Sequence, residues 1–296
     1  MRPEVGIPRE IAPGLQTILA PNPGPMTHWG TNSYLVGEDD LAVIDPGPDH
    51  AGHLQALLTT IGGRKVARIL VTHAHLDHSG LARRLARHVG APVLGFGPAE
   101  SGRSAVMQAL AARGNLGGGE GVDANFDPDV KIGEGDIVTG SGWTIEALHT
   151  PGHFAGHLAF AVGDVLVSGD HVMDWSSSIV SPPDGDLSDF MATTRRLAVG
   201  GFTRFLTGHG APIDDPTGRL EWLLDHRGRR ERQILDALGP RPRSLSDVTR
   251  RAYPGVADAV LPAAERNAFA HLIDLCNRGI CIAEPLLEPE ATFRLS

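Results

Sequence analysis

Six residues, His73-Ala-His-Leu-Asp-His78, follow almost directly on the apolar run at 66–71 and constrain everything else in the chain. Three imidazoles and a carboxylate packed this tightly form a density of metal-ligand side chains that a solvated loop has no reason to carry. Side chains at i and i+2 leave the end of a strand on the same side, so His73 and His75 can grip one ion. Asp77 and His78, on the next turn, aim at a neighbouring point. Neutral imidazoles suit zinc and its first-row neighbours, and the carboxylate suits a second ion that needs a harder ligand.

Around this motif the sequence alternates. An edge strand is expected near 17–19, then a Pro- and Gly-rich shaped loop at 20–30, strands at 32–37 and 41–44, and a helix at 51–60. The strand at 66–71, a helix at 79–89 and a strand at 92–94 continue the pattern, which argues α/β. Asp45, at the end of the second strand, is expected to order the loop beneath the site and not to bind metal. A helix at 104–113 gives way to the glycine-rich stretch 114–121, expected to lie over or beside the site. Strands follow at 137–139, 143–148, 158–162, 165–168 and 204–206.

Three later motifs sit just past these strands: Thr150-Pro-Gly-His153, Ser168-Gly-Asp170 and Thr207-Gly-His-Gly210. Together with the first, they resemble in composition and order the ligand motifs of the metallo-β-lactamase superfamily. The resemblance implies a four-layer αββα sandwich. It places His73, His75 and His153 on one metal, Asp77, His78 and His209 on a second, and Asp170 between them. Two zinc ions are the expected cofactors, with manganese or iron as alternatives. A water shared by the two ions, its pKa lowered toward neutrality, would be the nucleophile, so Asp77 and Asp170 are catalytic as well as ligating. His157 and His171 are read as supporting or packing residues and are left out of the metal set.

The chain changes character after His209. A helix is expected to start at Asp215-Pro216 and stop at Gly239-Pro240, followed by helices at 246–252 and 262–278 and a short strand at 280–283. These suggest a winged-helix-like domain at 213–296 behind a catalytic domain at 1–212. Between residues 219 and 251 there are nine arginines and five acidic residues, in a chain whose formal net charge is −9. The arginine surplus favours contact with nucleic acid and the overall charge opposes it. Cys276 and Cys281 match no C-x-x-C pattern and are read as core thiols. No apolar run is long enough to span a bilayer, and the N-terminus lacks a signal-peptide core, so a cytoplasmic enzyme is expected.

The motifs select a reaction class, hydrolysis of an ester-like bond, without selecting a substrate. The segment 23–37 and the helical tail are similar to the branch of β-lactamase-like endoribonucleases, which also includes thioesterases. Single-stranded RNA is therefore one expected substrate. A small-molecule thioester or lactone, hydrolysed in the manner of glyoxalase II, is the alternative. A nucleic-acid-binding regulator without catalysis is the reading that intact ligand motifs disfavour.

Overall fold

The computed structural model describes residues 2–114, 116, 119, 121–255 and 257–296. Its first sheet has seven strands in sequential order: β1 (Arg9–Ala12), β2 (Leu15–Leu19), β3 (Asn32–Val36), β4 (Asp40–Ile44), β5 (Lys65–Leu70), β6 (Val93–Gly95) and β7 (Val130–Lys131). Strands β1 to β4 are antiparallel, and β4 to β7 are parallel. Every residue of β3 and β4 is buried, as in strands covered on both faces. The parallel crossovers carry α1 (Ala51–Ile61), the short turn α2 (Leu76–Ser79), α3 (Ala82–Val89) and α4 (Ala105–Arg113).

The second sheet contains β8 (Ile137–Gly140), β9 (Trp143–His149), β10 (Leu158–Val162), β11 (Val165–Gly169) and β12 (Arg204–Thr207), in the order β12-β11-β10-β9-β8. Along β9, Trp143, Ile145 and Ala147 are buried while Thr144 and Glu146 are exposed, the period-two pattern of a strand with one face on the core. Those three residues, with Phe160, Val167 and Leu206, meet Tyr34, Ile44 and Leu70 of the first sheet in a core between the two sheets. Leu54, Leu57 and Leu85 of α1 and α3 cover the outer face of the first sheet. The outer face of the second is covered by α5 (Leu187–Ala198) and the front of α6 (Pro216–Leu238), through Leu197, Leu220 and Leu223. The result is a four-layer αββα sandwich.

The C-terminal region comprises β13 (Arg243–Ser244), α7 (Leu245–Ala252), α8 (Leu261–Asn277), β14 (Cys281–Glu284) and β15 (Thr292–Leu295), the strands forming a small sheet in the order β13-β15-β14. Helix α6 belongs to both parts. Leu220 and Leu223 pack on the sandwich, whereas Ile234, Ala237 and Leu238 enter the C-terminal core with Met107 and Leu110 of α4. Asp215 caps its start by accepting a hydrogen bond from the Gly218 amide.

Three sequence expectations change. The strand near 17–19 is not at the edge, because β1 pairs outside it. The helix at 79–89 is interrupted: the Leu81 amide donates to the Gly47 carbonyl at 2.9 Å and leaves the helical ladder. Helix α5 is absent from those expectations, although Asp186 caps it and Leu187, Phe190 and Leu197 are buried at helical spacing. Of the glycine-rich stretch, Asn115, Gly117, Gly118 and Glu120 lie outside the described residues, while Gly121 accepts from the Leu76 amide at 2.7 Å beside the His motif.

Candidate metal centre

The seven residues singled out from sequence lie in the loops after four strands, Asp77 and His78 within the short helix α2 that follows β5, and strand register brings these strand ends together. Ile44 is in register with Leu70, so Asp45 arrives beside Thr72 at the root of the His motif. Gly169 is in register with Thr207, which sets Asp170 beside the His209 loop. The Leu158 amide donates to the Thr72 carbonyl at 2.7 Å and stitches the two sheets together at this point.

The side chains converge in three overlapping groups whose ligand atoms lie close enough to share an ion: His73, His75 and His153; His73, His78 and Asp170; and Asp77, His78 and His209. His75 Nδ1 is 2.8 Å from His73 Nε2 and 3.3 Å from His153 Nε2. His209 Nε2 is 3.3 Å from His78 Nε2 and 3.2 Å from Asp77 Oδ2. Asp170 faces both sets, with Oδ2 3.3 Å from His209 Nε2 and 3.8 Å from His153 Nε2.

Partners behind the imidazoles fix which nitrogen faces the centre. His78 Nδ1 lies 2.8 Å from Asp45 Oδ2, and His153 Nδ1 lies 2.7 Å from the Ile179 carbonyl. His209 Nδ1 is 3.2 Å from the Gly30 carbonyl. The Thr72 hydroxyl donates to Asp45 Oδ2, so it accepts from His73 Nδ1 at 2.9 Å. In all four rings the rear nitrogen donates and Nε2 faces the centre, the arrangement found behind metal-bound histidines. His157 Nδ1 meets the Thr150 hydroxyl at 2.7 Å, and Nε2 accepts from the Asp170 amide at 3.2 Å. His171 contacts the Thr194 hydroxyl at 3.1 Å, away from the ligand groups.

The electrostatics divide the centre in two. Burial pushes His73 and His153 down and His75 down to about 3, so these rings are neutral. Burial opposes the charged forms of Asp77 and Asp170 too, but the adjoining His78 and His209 outweigh it and hold both carboxyls below their ordinary range. The same attraction overcomes the burial of His209 and raises it to about 9, and it raises His78 as well. Asp170 Oδ1 is buried with no hydrogen-bond partner. Three neutral imidazoles, two more that can give up a proton, two forced carboxylates and an orphaned carboxylate oxygen make a donor set that suits divalent first-row cations. Gly208 completes the enclosure, because a β-carbon there would strike Asp170 Oδ1.

The sequence profile of the Metallo-beta-lactamase superfamily matches residues 26–224. The chain belongs to this superfamily. A second profile, the beta-lactamase associated winged helix domain, matches residues 244–285. A "Beta-lactamase-like protein 2 homolog" of Drosophila melanogaster is 28% identical over 279 residues, covering 88% of this chain and 87% of its own length. An "Atrochrysone carboxyl ACP thioesterase" of Claviceps purpurea is 30% identical over 248 residues, covering 80% of this chain and 69% of its own length. Among solved structures, a metallo-beta-lactamase family protein from Thermus thermophilus superposes with a TM-score of 0.76 at 25% identity, covering 97% of this chain and 100% of that one. A beta-lactamase domain protein from Burkholderia ambifaria shares the fold, with a TM-score of 0.81 at 23% identity over 99% of this chain and 95% of that one.

In this metallo-β-lactamase fold the centre opens into a cavity of about 580 Å³. It is lined by His75 and His153, by Met26, and by Arg227, Arg266 and Asn267 of α6 and α8. His28 stacks against Trp29 and Trp175, with ring centroids 4.7 and 4.9 Å apart, and ties the 20–30 loop to the loop after Asp170. Sequence reasoning placed the ligand motifs but missed Thr72, the Ile179 carbonyl and Arg227. A carbonyl partner carries no side-chain signature, and Arg227 is one of nine arginines between residues 219 and 251. It is buried, its guanidinium donating to the Ser178 carbonyl and, at 2.8 Å, to Asn267 Oδ1.

Proposed function

We propose that the protein is a binuclear metal-dependent hydrolase of small-molecule esters, with thioesters as the leading substrate class. In this reading residues 1–212 carry the chemistry, and residues 213–296 supply the far wall of the substrate cavity. His73, His75 and His153 would hold one zinc ion, Asp77, His78 and His209 the other, with Asp170 between them. Two such cations would supply a hydroxide nucleophile at neutral pH and Lewis-acid stabilisation of the developing oxyanion. The chain's own contribution is to aim the Nε2 atoms of four histidines inward through Asp45, Thr72, Gly30 and Ile179, and to hold the Asp170 carboxylate through the His157 contact to its amide. A thiolate leaves without prior protonation, since its conjugate acid has a pKa of about 8.5.

The observation that carries the substrate class is the cavity. Its volume of about 580 Å³ fits a small molecule, and it runs from His75 and His153 to α8. The thioesterase names carried by relatives at 28 to 30% identity point the same way. Single-stranded RNA is the second reading, favoured by the arginines of α6, of which Arg229 and Arg232 are exposed. The deciding experiment is a panel of acyl thioesters, lactones and single-stranded RNA offered to metal-replete protein. Hydrolysis of thioesters or lactones with RNA left intact is expected, and RNA cleavage without small-ester turnover would reverse the order.

A further inference from the structure

Arg227 sits in an unusual position for a cation. It projects from the middle of α6, is 2% exposed, and lines the same cavity as His75 and His153. Its hydrogen-bond partners, the Ser178 carbonyl and Asn267 Oδ1, are neutral, and its guanidinium lies over the Phe190 ring at 5.1 Å. Nε is buried with no partner. Among the described residues no carboxylate pairs with Arg227, and the charged group nearest in effect is Arg230, of the same sign. Burial pushes Arg227 down to about 10, with Tyr253 partly offsetting it and Arg230 adding to it, which leaves the guanidinium charged at neutral pH. A buried guanidinium without a counter-ion is costly, and an anion entering from the cavity would compensate it.

A second cation shares the wall. Arg266, on α8, lines the cavity beside Asn267, which receives one Arg227 hydrogen bond. The acidic side chain on the lining, Asp184, is engaged by Arg103 at 2.7 Å, so it offers Arg227 no charge pair. The cavity lining thus brings together two of the candidate metal-ligand histidines and two arginines from the C-terminal helices.

Building on the hydrolase reading, we infer that Arg227 and Arg266 form a subsite for an anionic group on the acyl part of the substrate, remote from the bond that is cleaved. The natural substrates are then acyl esters or thioesters whose acyl chain carries a carboxylate or a phosphate-like group. The winged-helix region acts in substrate selection through α6 and α8.

The test compares N-acetylcysteamine thioesters of glutaric acid and pentanoic acid on the metal-loaded full chain. The anionic thioester should be preferred in kcat/KM by about ten- to a hundredfold, the range of a charge-assisted hydrogen bond. A 4-phosphonobutanoyl thioester distinguishes a carboxylate site from a phosphate site by which anion is turned over better. In Arg266→Gln, and in Arg227→Met if it folds, the preference should fall toward one. Equal turnover of charged and neutral thioesters by the wild type, or a preference that Arg266→Gln leaves intact, overturns the subsite while leaving the hydrolase reading in place. If no thioester is hydrolysed, the thioesterase reading fails separately. Calorimetric binding of the same intact thioesters then decides the subsite by the same ratio.

Discussion

Asp45 reaches His78 from behind: its Oδ2 lies 2.8 Å from His78 Nδ1, while Oδ1 accepts the Thr72 amide at 2.8 Å. One buried carboxylate thus orients two of the candidate ligands, His78 directly and His73 through the Thr72 hydroxyl. Asp45 adopts a φ of 50°, a left-handed conformation that asparagine also tolerates. Asp45→Asn should therefore fold, and should bind metal about ten- to a hundredfold more weakly, the usual cost of losing such a supporting partner. Competition with a chromogenic chelator measures this. Unchanged affinity would show that the Asp45 charge is irrelevant to the centre.

Asp170 is the residue that faces both ligand groups. Asp170→Asn keeps the shape and removes the charge between two cations, so turnover should fall by orders of magnitude with a modest change in Tm. Near-normal hydrolysis in that variant would assign the bridging place to another residue.

The raised imidazoles make metal uptake proton-linked. In the metal-free protein His209 holds its proton up to about pH 9, and His78 is raised too, whereas a metal ligand must be unprotonated. Binding at neutral pH must therefore expel protons. Apparent affinity should weaken as pH falls and level off as pH rises through about 9. Calorimetry in buffers of different ionisation enthalpy measures the release, and uptake with no proton exchange would contradict the assigned roles.

The exposed arginines separate the two substrate readings. If RNA is the substrate, Arg229 and Arg232 are the α6 side chains placed to meet phosphates, since Arg227 is buried and Arg230 lies over the Tyr253 ring at 3.9 Å. RNA binding would then weaken steeply with salt, and the slope would fall by about one unit for each phosphate contact removed. For a small ester, charge reversal at Arg229 and Arg232 should leave turnover and its salt dependence unchanged. Salt titrations of the wild type and the double variant distinguish these cases.

Much of this architecture was legible because the informative residues are short and local. His73, His75, Asp77 and His78 announce their chemistry within one hexapeptide, and the strands that carry the ligand loops are apolar runs closed by Gly and Pro. Other features depend on register or on contacts distant in sequence. The place of β1 outside β2 follows from pairing across a tight turn, which four weakly patterned residues do not reveal. The break before α3 arises because the Leu81 amide finds Gly47, far back along the chain. The role of Arg227 was hidden for the same reason. Arg229 and Arg232, close by in sequence, are exposed, and only the packing of α6 against α5 and α8 shows that Arg227 faces inward.

The proposed two-ion centre of seven side chains is tested by the metal content of chelator-free protein, measured by elemental analysis and set beside the content of the Asp170→Asn variant. The expected result is about two transition-metal ions per chain, with zinc predominant, in the wild type, and a lower content in the variant. A wild-type stoichiometry that stays at or below about one after reconstitution with excess zinc would contradict it.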